Sequence, residues 1–405
     1  MNATPNTAHP GLQPSRRSDL WVAIGLSMAA AVSLGFSRFA YALLLPPMRA
    51  SLHWSYVQAG GMNTSNAVGY VFGSATAAWC SERVGIKAAF LASMAVSGGV
   101  LFVTGLTSDY TALMTLRFLG GFATAVSFVL GASLAANVNS TSSPQGSAAA
   151  LAIYVTGVGS GIVVSGLVVP PILGRLGAAG WPTGWVWMGA ISIAALWPAW
   201  AATRRVPAQA ARGESVLPWK DIVFLWPTFA NYTLFAAGYV SYMTFIILLI
   251  RNGGGGAGDA AAFWIVLGLS SVIGTLAWGR LLPKLGLRRS SPVVAIVVLL
   301  GTLPVLVRPT VTAAFVSAVI FGSSFMAGPT AVTVIVRKLL RQPTWTAALA
   351  ALTVAFAIGQ AIGPLISGVV SDATGSVGAG LWLSPILLIA AAVFALFQAT
   401  GRDGD

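Results

Sequence analysis

The chain has 405 residues, of which 56% are hydrophobic and 8% charged, with a mean hydropathy of +0.82. That balance excludes an ordinary soluble domain. The net charge of +13 would suit a nucleic-acid binder, but the basic residues are scattered over short connections between apolar runs, so the excess reads as membrane topology.

In chain order, the tail from Met1 to Ser18 is polar, carries Pro5, Pro10 and Pro14, reads as disordered and shows no signal-peptide pattern. Apolar runs then follow at about 20–47, 58–80, 88–106, 110–137, 146–170, 184–203, 222–250, 260–282, 290–308, 311–336, 345–371 and 378–400. Each run is long enough to cross a hydrocarbon core of ~30 Å. All twelve are expected to be helices, because lipid leaves exposed backbone groups unsatisfied. The longest connection, Arg204 to Lys220, separates two sets of six. The expected organisation is a tail at 1–19, a six-helix bundle at 20–203, a cytoplasmic linker at 204–220, a second bundle at 221–400 and a tail at 401–405. With the N-terminus inside, sixteen Lys and Arg face the cytoplasm, against Arg49, Arg175, Arg251 and Arg308 on the other side. That bias sets both termini in the cytoplasm. Cys80, the single cysteine, is expected to be an inert apolar residue.

The two sets resemble each other in register. Gly157, Gly161 and Gly166 in the fifth run match Gly359, Gly363 and Gly368 in the eleventh, displaced by 202 (359 − 157). After the second run the chain reads Ala78-x-x-x-Glu82-Arg83-x-Gly85-x-Lys87. After the eighth it reads Gly279-x-x-x-Pro283-Lys284-x-Gly286-x-Arg288, displaced by 201 (279 − 78), as are Gly73 and Gly274. A shared offset over many positions indicates duplication, and parallel six-helix repeats with a site between them are a known transporter architecture.

These loops resemble the signature loop of the major facilitator superfamily, with Ala78 and Glu82 replacing its glycine and aspartate and Pro283 standing where the second copy should have an acid. Leu116-Arg117-Phe118-Leu119-Gly120-Gly121 is similar to that superfamily's motif on the fourth helix. More narrowly, Gly35-Phe36-Ser37-Arg38-Phe39-Ala40-Tyr41 followed by Leu45-Pro46 resembles the YbfB/YjiJ family of bacterial facilitators. Asn63-x-x-Asn66-x-x-Gly69-Tyr70, Gly238-Tyr239 and Gly359-Gln360-x-x-Gly363-Pro364 fit that family too. The resemblance implies an all-α membrane protein of two pseudo-symmetric six-helix bundles in the bacterial inner membrane. It also implies a cytoplasmic latch made by Glu82, Arg83, Gly85 and Lys87 with Lys284, Gly286 and Arg288. The alternative for these basic residues is that they serve topology alone.

Gly157, Gly161, Gly359 and Gly363 make small-x-x-x-small faces that let helices approach closely, and Pro364 should bend the eleventh helix. Those helices are expected to pivot at the boundary between the sets. Arg38 lies eight residues before Pro46, and Arg117 eight after Asp109. At 1.5 Å per residue both sit ~12 Å inside the outer surface, deeper than snorkelling comfortably explains. The nine acidic residues fall at run ends, in connections or in tails, so neither arginine has an expected counter-charge. A buried charge marks a pathway by default, and the guanidinium fork suits a carboxylate. Tyr41, Asn63, Asn66, Tyr239, Tyr242 and Gln360 are the expected companions of the two arginines in a substrate site, with Ser323, Ser324, Trp264 and Phe356 as further lining. Arg117 is read either as a second anion ligand or as a helix-interface residue. The repeat puts Ser241 near the counterpart of Arg38 and Val319 near that of Arg117.

The expected function is movement of a small organic anion, a carboxylate, by alternating access. The competing reading is a proton-coupled exporter of drugs or neutral metabolites. His9 and His53 lie outside the spans, so no histidine relay is expected. The spans hold no paired carboxylates or metal cluster for an intramembrane enzyme. No cofactor is expected, and the partners are the lipid bilayer, a small substrate and, in the second reading, protons; the chain is expected to be a monomer. Asn139-Ser140-Thr141 matches a glycosylation pattern but would face the cytoplasm.

Overall fold

The computed structural model describes residues 16–138, 144–207 and 217–398. The proline-containing tail, the Asn139 motif and most of the linker and C-terminal tail lie outside them.

Among the described residues the chain is all helix. α1 (Arg16–Ala30) continues through a π-helical stretch (Ala31–Phe39) into α2 (Ala40–Leu52). Then come α3 (Tyr56–Val84), α4 (Ile86–Thr104), α5 (Tyr110–Ala136), α6 (Pro144–Leu176), α7 (Trp181–Ala194) and α8 (Leu196–Thr203). After the linker come α9 (Trp219–Phe224), α10 (Trp226–Asn252), α11 (Ala257–Leu285), α12 (Leu287–Val307), α13 (Val311–Ser324) and α14 (Ala327–Leu339). The last are α15 (Trp345–Thr374), α16 (Val377–Leu381) and α17 (Leu383–Leu396). Ten segments are long and apolar enough to cross a membrane. α3, at 29 residues, is not among them because Asn63, Thr64, Ser65 and Asn66 make it more polar.

Prolines explain the interruptions. A proline gives no N–H to the carbonyl four residues back. Pro198, Pro227, Pro329 and Pro385 withhold that bond from Ala194, Val223, Phe325 and Leu381, and the chain breaks between α7 and α8, α9 and α10, α13 and α14, and α16 and α17. α15 instead runs unbroken through Pro364. Starts are capped by side chains: Ser55 with Gln58 forms a capping box on α3, and Asp109 accepts from Ala112 N on α5. The repeated loop glycines have a backbone reason. Gly85 and Gly286 join α3 to α4 and α11 to α12 with φ of 85° and 75°, a region that side-chain-bearing residues rarely adopt.

The duplication recurs in the packing. A Cβ on Gly73 would collide with the Phe122 carbonyl, and one on Gly274 with that of Ser323, both displaced by 201 (274 − 73; 323 − 122). Gly157 and Gly161 press on Ser27 and Ala31, as Gly359 and Gly363 press on Thr233 and Ala237. These four glycines clamp helices within one set, α6 on α1 and the π-helical stretch and α15 on α10. The approaches between sets use other glycines. Gly159 of α6 and Gly268 of α11 face each other, where an added Cβ would come 2.7 Å and 2.8 Å from the opposite carbonyl oxygen. Large apolar side chains such as Trp197, Ile273 and Trp21 point outward, as lipid-facing positions do and soluble surfaces rarely do.

Candidate functional site

Arg38 sits in the π-helical stretch, where the Ala40 N–H bonds the Gly35 carbonyl, five residues back. Gly35 packs so tightly on α6 that a Cβ there would lie 2.6 Å from the Gly161 Cα. Such wide turns recur at functional sites, and this one carries Arg38 to the seam between the two sets.

Arg38 is 5% exposed. Its Nη1 donates to Gln360 Oε1 of α15 at 2.6 Å, its Cζ lies 5.0 Å from the Tyr70 ring centroid, and its Nη2 has no hydrogen-bond partner. Gln360 Nε2 donates to the Tyr239 hydroxyl of α10 at 2.5 Å. Tyr239 stacks between Phe325 and Phe356, at 5.9 and 5.7 Å. Beside Arg38 is a cavity lined by Phe39, Ala42, Asn63, Val240, Met243 and Thr244, with about 10 Å³ for the centre of a water molecule. That holds one water at most, so the site is closed.

Arg117 has a different setting. From α5 its Nη1 donates to the Ser37 carbonyl at 2.5 Å, its Nε to Met62 O at 3.5 Å and its Nη2 to Asn63 Oδ1 at 3.1 Å. Its Cζ lies 4.8 Å from the Tyr41 ring and 5.7 Å from that of Trp185. Three acceptors and two rings from the first set satisfy it. Among the described residues neither arginine meets a carboxylate.

Of the residues read from sequence, Arg38, Tyr239 and Gln360 meet directly. Asn63 stands between the arginines, taking a bond from Arg117 and giving one to Thr244 Oγ1 of α10 at 2.6 Å. The others are held elsewhere. Tyr41 lies over Arg117, not Arg38, and donates to Ala59 O at 2.8 Å. Asn66 donates to Arg117 O at 3.2 Å. Tyr242 pairs with Ser317 at 2.6 Å and packs on Phe321. Trp264 donates to Ser165 Oγ across the seam at 3.0 Å. Ser323 and Ser324 bond backward to Ile320 O in their own helix. Tyr70, Thr244 and Phe325 were not among the expected companions. The shared packing also shifts the counterparts: with Ser27 and Thr233 displaced by 206 (233 − 27), Arg38 corresponds to Thr244 or its neighbour rather than Ser241. The displacement of 201 matches Arg117 to Ala318.

At the ends of the seam, no side-chain bond of the expected latch is made among the described residues, and another contact is. Glu82 is exposed with no partner among the described residues, and Arg83 lies over Trp79 of its own helix. At the opposite end Asp372 of α15 accepts from Tyr56 N and Val57 N, each at 2.8 Å, on the N-terminus of α3. Among the described residues no three His, Cys, Asp or Glu side chains gather as metal ligands would.

Residues 17–396 match the model of the family described as "Uncharacterised MFS-type transporter YbfB". No match was found among curated proteins. Solved structures share the fold at low identity. A D-xylose-proton symporter aligns at TM-score 0.73 and 14% identity, covering 96% of this chain and 98% of its own. A mutant of the nucleoside transporter NupG aligns at 0.72 and 14%, covering 94% and 98%. A bacterial homolog of the human lysosomal transporter Spinster, inward-facing and occupied, aligns at 0.71 and 16%, covering 96% and 97%.

Proposed function

The chain belongs to the YbfB family of MFS-type transporters, and from that premise we propose that it moves a small carboxylate-bearing organic anion by alternating access. The observation that carries this reading is Arg38 Nη2, a cationic donor buried at the seam with neither a carboxylate nor any acceptor. A charge in a membrane interior costs at least ~3 kcal/mol, and a carboxylate would take both arms of the fork at once. The neighbours Phe39, Val240 and Met243 suit an apolar body behind that group.

In this reading the helices before residue 204 and after 220 form two six-helix bundles that rock about the site. Counting α3, and dividing the segment Ala148–Thr203 at its turn Gly177–Gly180, gives twelve crossings with both termini in the cytoplasm. Arg38, Tyr239, Gln360 and Asn63 bind the substrate, and Arg117 with Tyr41 and Asn66 holds the first bundle around them. The loops with Glu82, Arg83, Lys87, Lys284 and Arg288 latch the state opposite to the present one. The chain acts as a monomer in the bacterial inner membrane.

The second reading, a neutral cargo with proton coupling, is favoured by one observation: the other polar groups at the site are the uncharged Tyr70, Tyr239, Asn63, Thr244 and Gln360. The named relatives carry nucleosides and D-xylose. A thermal-shift screen of purified protein against formate, acetate, lactate, benzoate, D-xylose and uridine separates the two, since a ligand stabilises by mass action. Stabilisation by carboxylates, lost in Arg38→Gln, supports the anion. Stabilisation only by neutral compounds overturns it.

A further inference from the structure

We propose that Gln360 stands in for the substrate carboxylate when the carrier is empty, so that the two sets can close on Arg38 without cargo. The proposal rests on the anion reading of Arg38. Closing the seam takes the guanidinium out of water, and a cation left without an acceptor there is strongly disfavoured. The second set supplies one acceptor, Gln360 Oε1 at 2.6 Å. Arginine has no acceptor of its own, so the amide atom facing it must be oxygen. Gln360 Nε2 is occupied by the Tyr239 hydroxyl, which holds the amide in that orientation.

Three features make this a substitute rather than a permanent bridge. The bond joins residues 322 apart and from different sets, so it breaks whenever the seam opens. It uses one arm of the fork and leaves Nη2 unpaired, whereas a carboxylate accepts from both arms and carries the opposite charge. Packing does not call for an amide here, because the repeat partner of Gln360 (360 − 202) is Val158, buried in α6. The space beside Arg38 holds one water at most, so the two sets are already closed on Arg38 with no room for a substrate there. The empty carrier can therefore reorient, and transport is net rather than obligatory exchange.

The test labels a cysteine at Ala42, which lines the cavity, with N-ethylmaleimide in a Cys80→Ser background. The labelling rate reports how often the site opens in protein with no substrate present. In Gln360→Ala the rate should rise ~10-fold or more, the worth of a hydrogen bond to a charged group. Formate, sized for the vacated amide, should return it to near the wild-type rate, while formamide should do less. Gln360→Glu should label no faster than wild type and ignore formate, because it carries its own carboxylate. Wild-type labelling of Gln360→Ala, or equally fast labelling of Gln360→Ala and Gln360→Glu, overturns the stand-in and leaves the anion reading intact. Protection by formamide equal to that by formate overturns both, since the site would not then distinguish charge.

Discussion

Asn63 accepts a hydrogen bond from Arg117 Nη2 and gives one to Thr244 of the second set, so the better-satisfied arginine is one side chain away from the seam. Arg117 itself ties α5 to the π-helical stretch through Ser37 and to α3 through Met62 and Asn63. Of the two roles open for Arg117, the contacts favour the interface one.

Arg117→Gln should therefore destabilise the fold. It removes donors from three buried acceptors, and a buried acceptor left unsatisfied costs ~1–3 kcal/mol. Arg117→Lys should fare little better, because an ammonium lacks the planar fork. Thermal unfolding in detergent measures this. A variant as stable as wild type would show that the three bonds are dispensable.

Arg38→Gln should behave oppositely. It removes a buried cation with an unpaired nitrogen, so the unfolding temperature should stay within ~3 °C of wild type, a shift worth about 1 kcal/mol. Stabilisation by formate or benzoate should disappear. Cooperative unfolding well below wild type, with the anion response kept, would reverse the roles assigned to the two arginines.

Much of this is legible in the sequence. The duplication shows through Gly73 and Gly274, and through the glycine pairs of α6 and α15, because close backbone approach admits no substitute. Arg38 and Gln360 stand out because a polar group in an apolar helix is rare. Their partners are harder to read. A rotation of 100° per residue puts Tyr41 beside Arg38, but the π-helical stretch adds a residue to the turn and rotates the helix beyond it, leaving Tyr41 over Arg117. Tyr70 and Thr244 look like ordinary helix residues, and only their three-dimensional placement identifies them. The contact of Asp372 with α3 is invisible in sequence because it pairs backbone with a carboxylate 316 residues away.

Asp372→Asn should loosen the end of the seam where α15 meets the N-terminus of α3. The substitution removes the charge that caps two α3 amides, an interaction worth ~1–2 kcal/mol at a helix N-terminus. A cysteine at Val57 should then react roughly tenfold faster with a membrane-impermeant thiol reagent. Glu82→Gln should leave that rate unchanged or lower it, since Glu82 has no partner among the described residues and its proposed latch holds the opposite state. Equal effects of the two variants would mean that neither contact belongs to one state.

Gly159→Ala and Gly157→Ala lie two residues apart on α6 and should fail in different ways. The methyl of Gly159→Ala meets the Gly268 carbonyl of the second set, with 2.7 Å available. That of Gly157→Ala meets the Ser27 carbonyl of α1, inside the first set. Overpacking of this kind costs ~1–3 kcal/mol, and what relaxes decides how it is felt. The seam can part without unfolding either set, so Gly159→Ala should speed labelling of a cysteine at Ala42 with little loss of thermal stability. The contact of α6 with α1 is made whether the seam is open or closed, so Gly157→Ala should lower thermal stability and leave the labelling ratio close to wild type. Labelling accelerated by Gly157→Ala and not by Gly159→Ala would put the moving boundary inside the first set and contradict the rocking of two bundles.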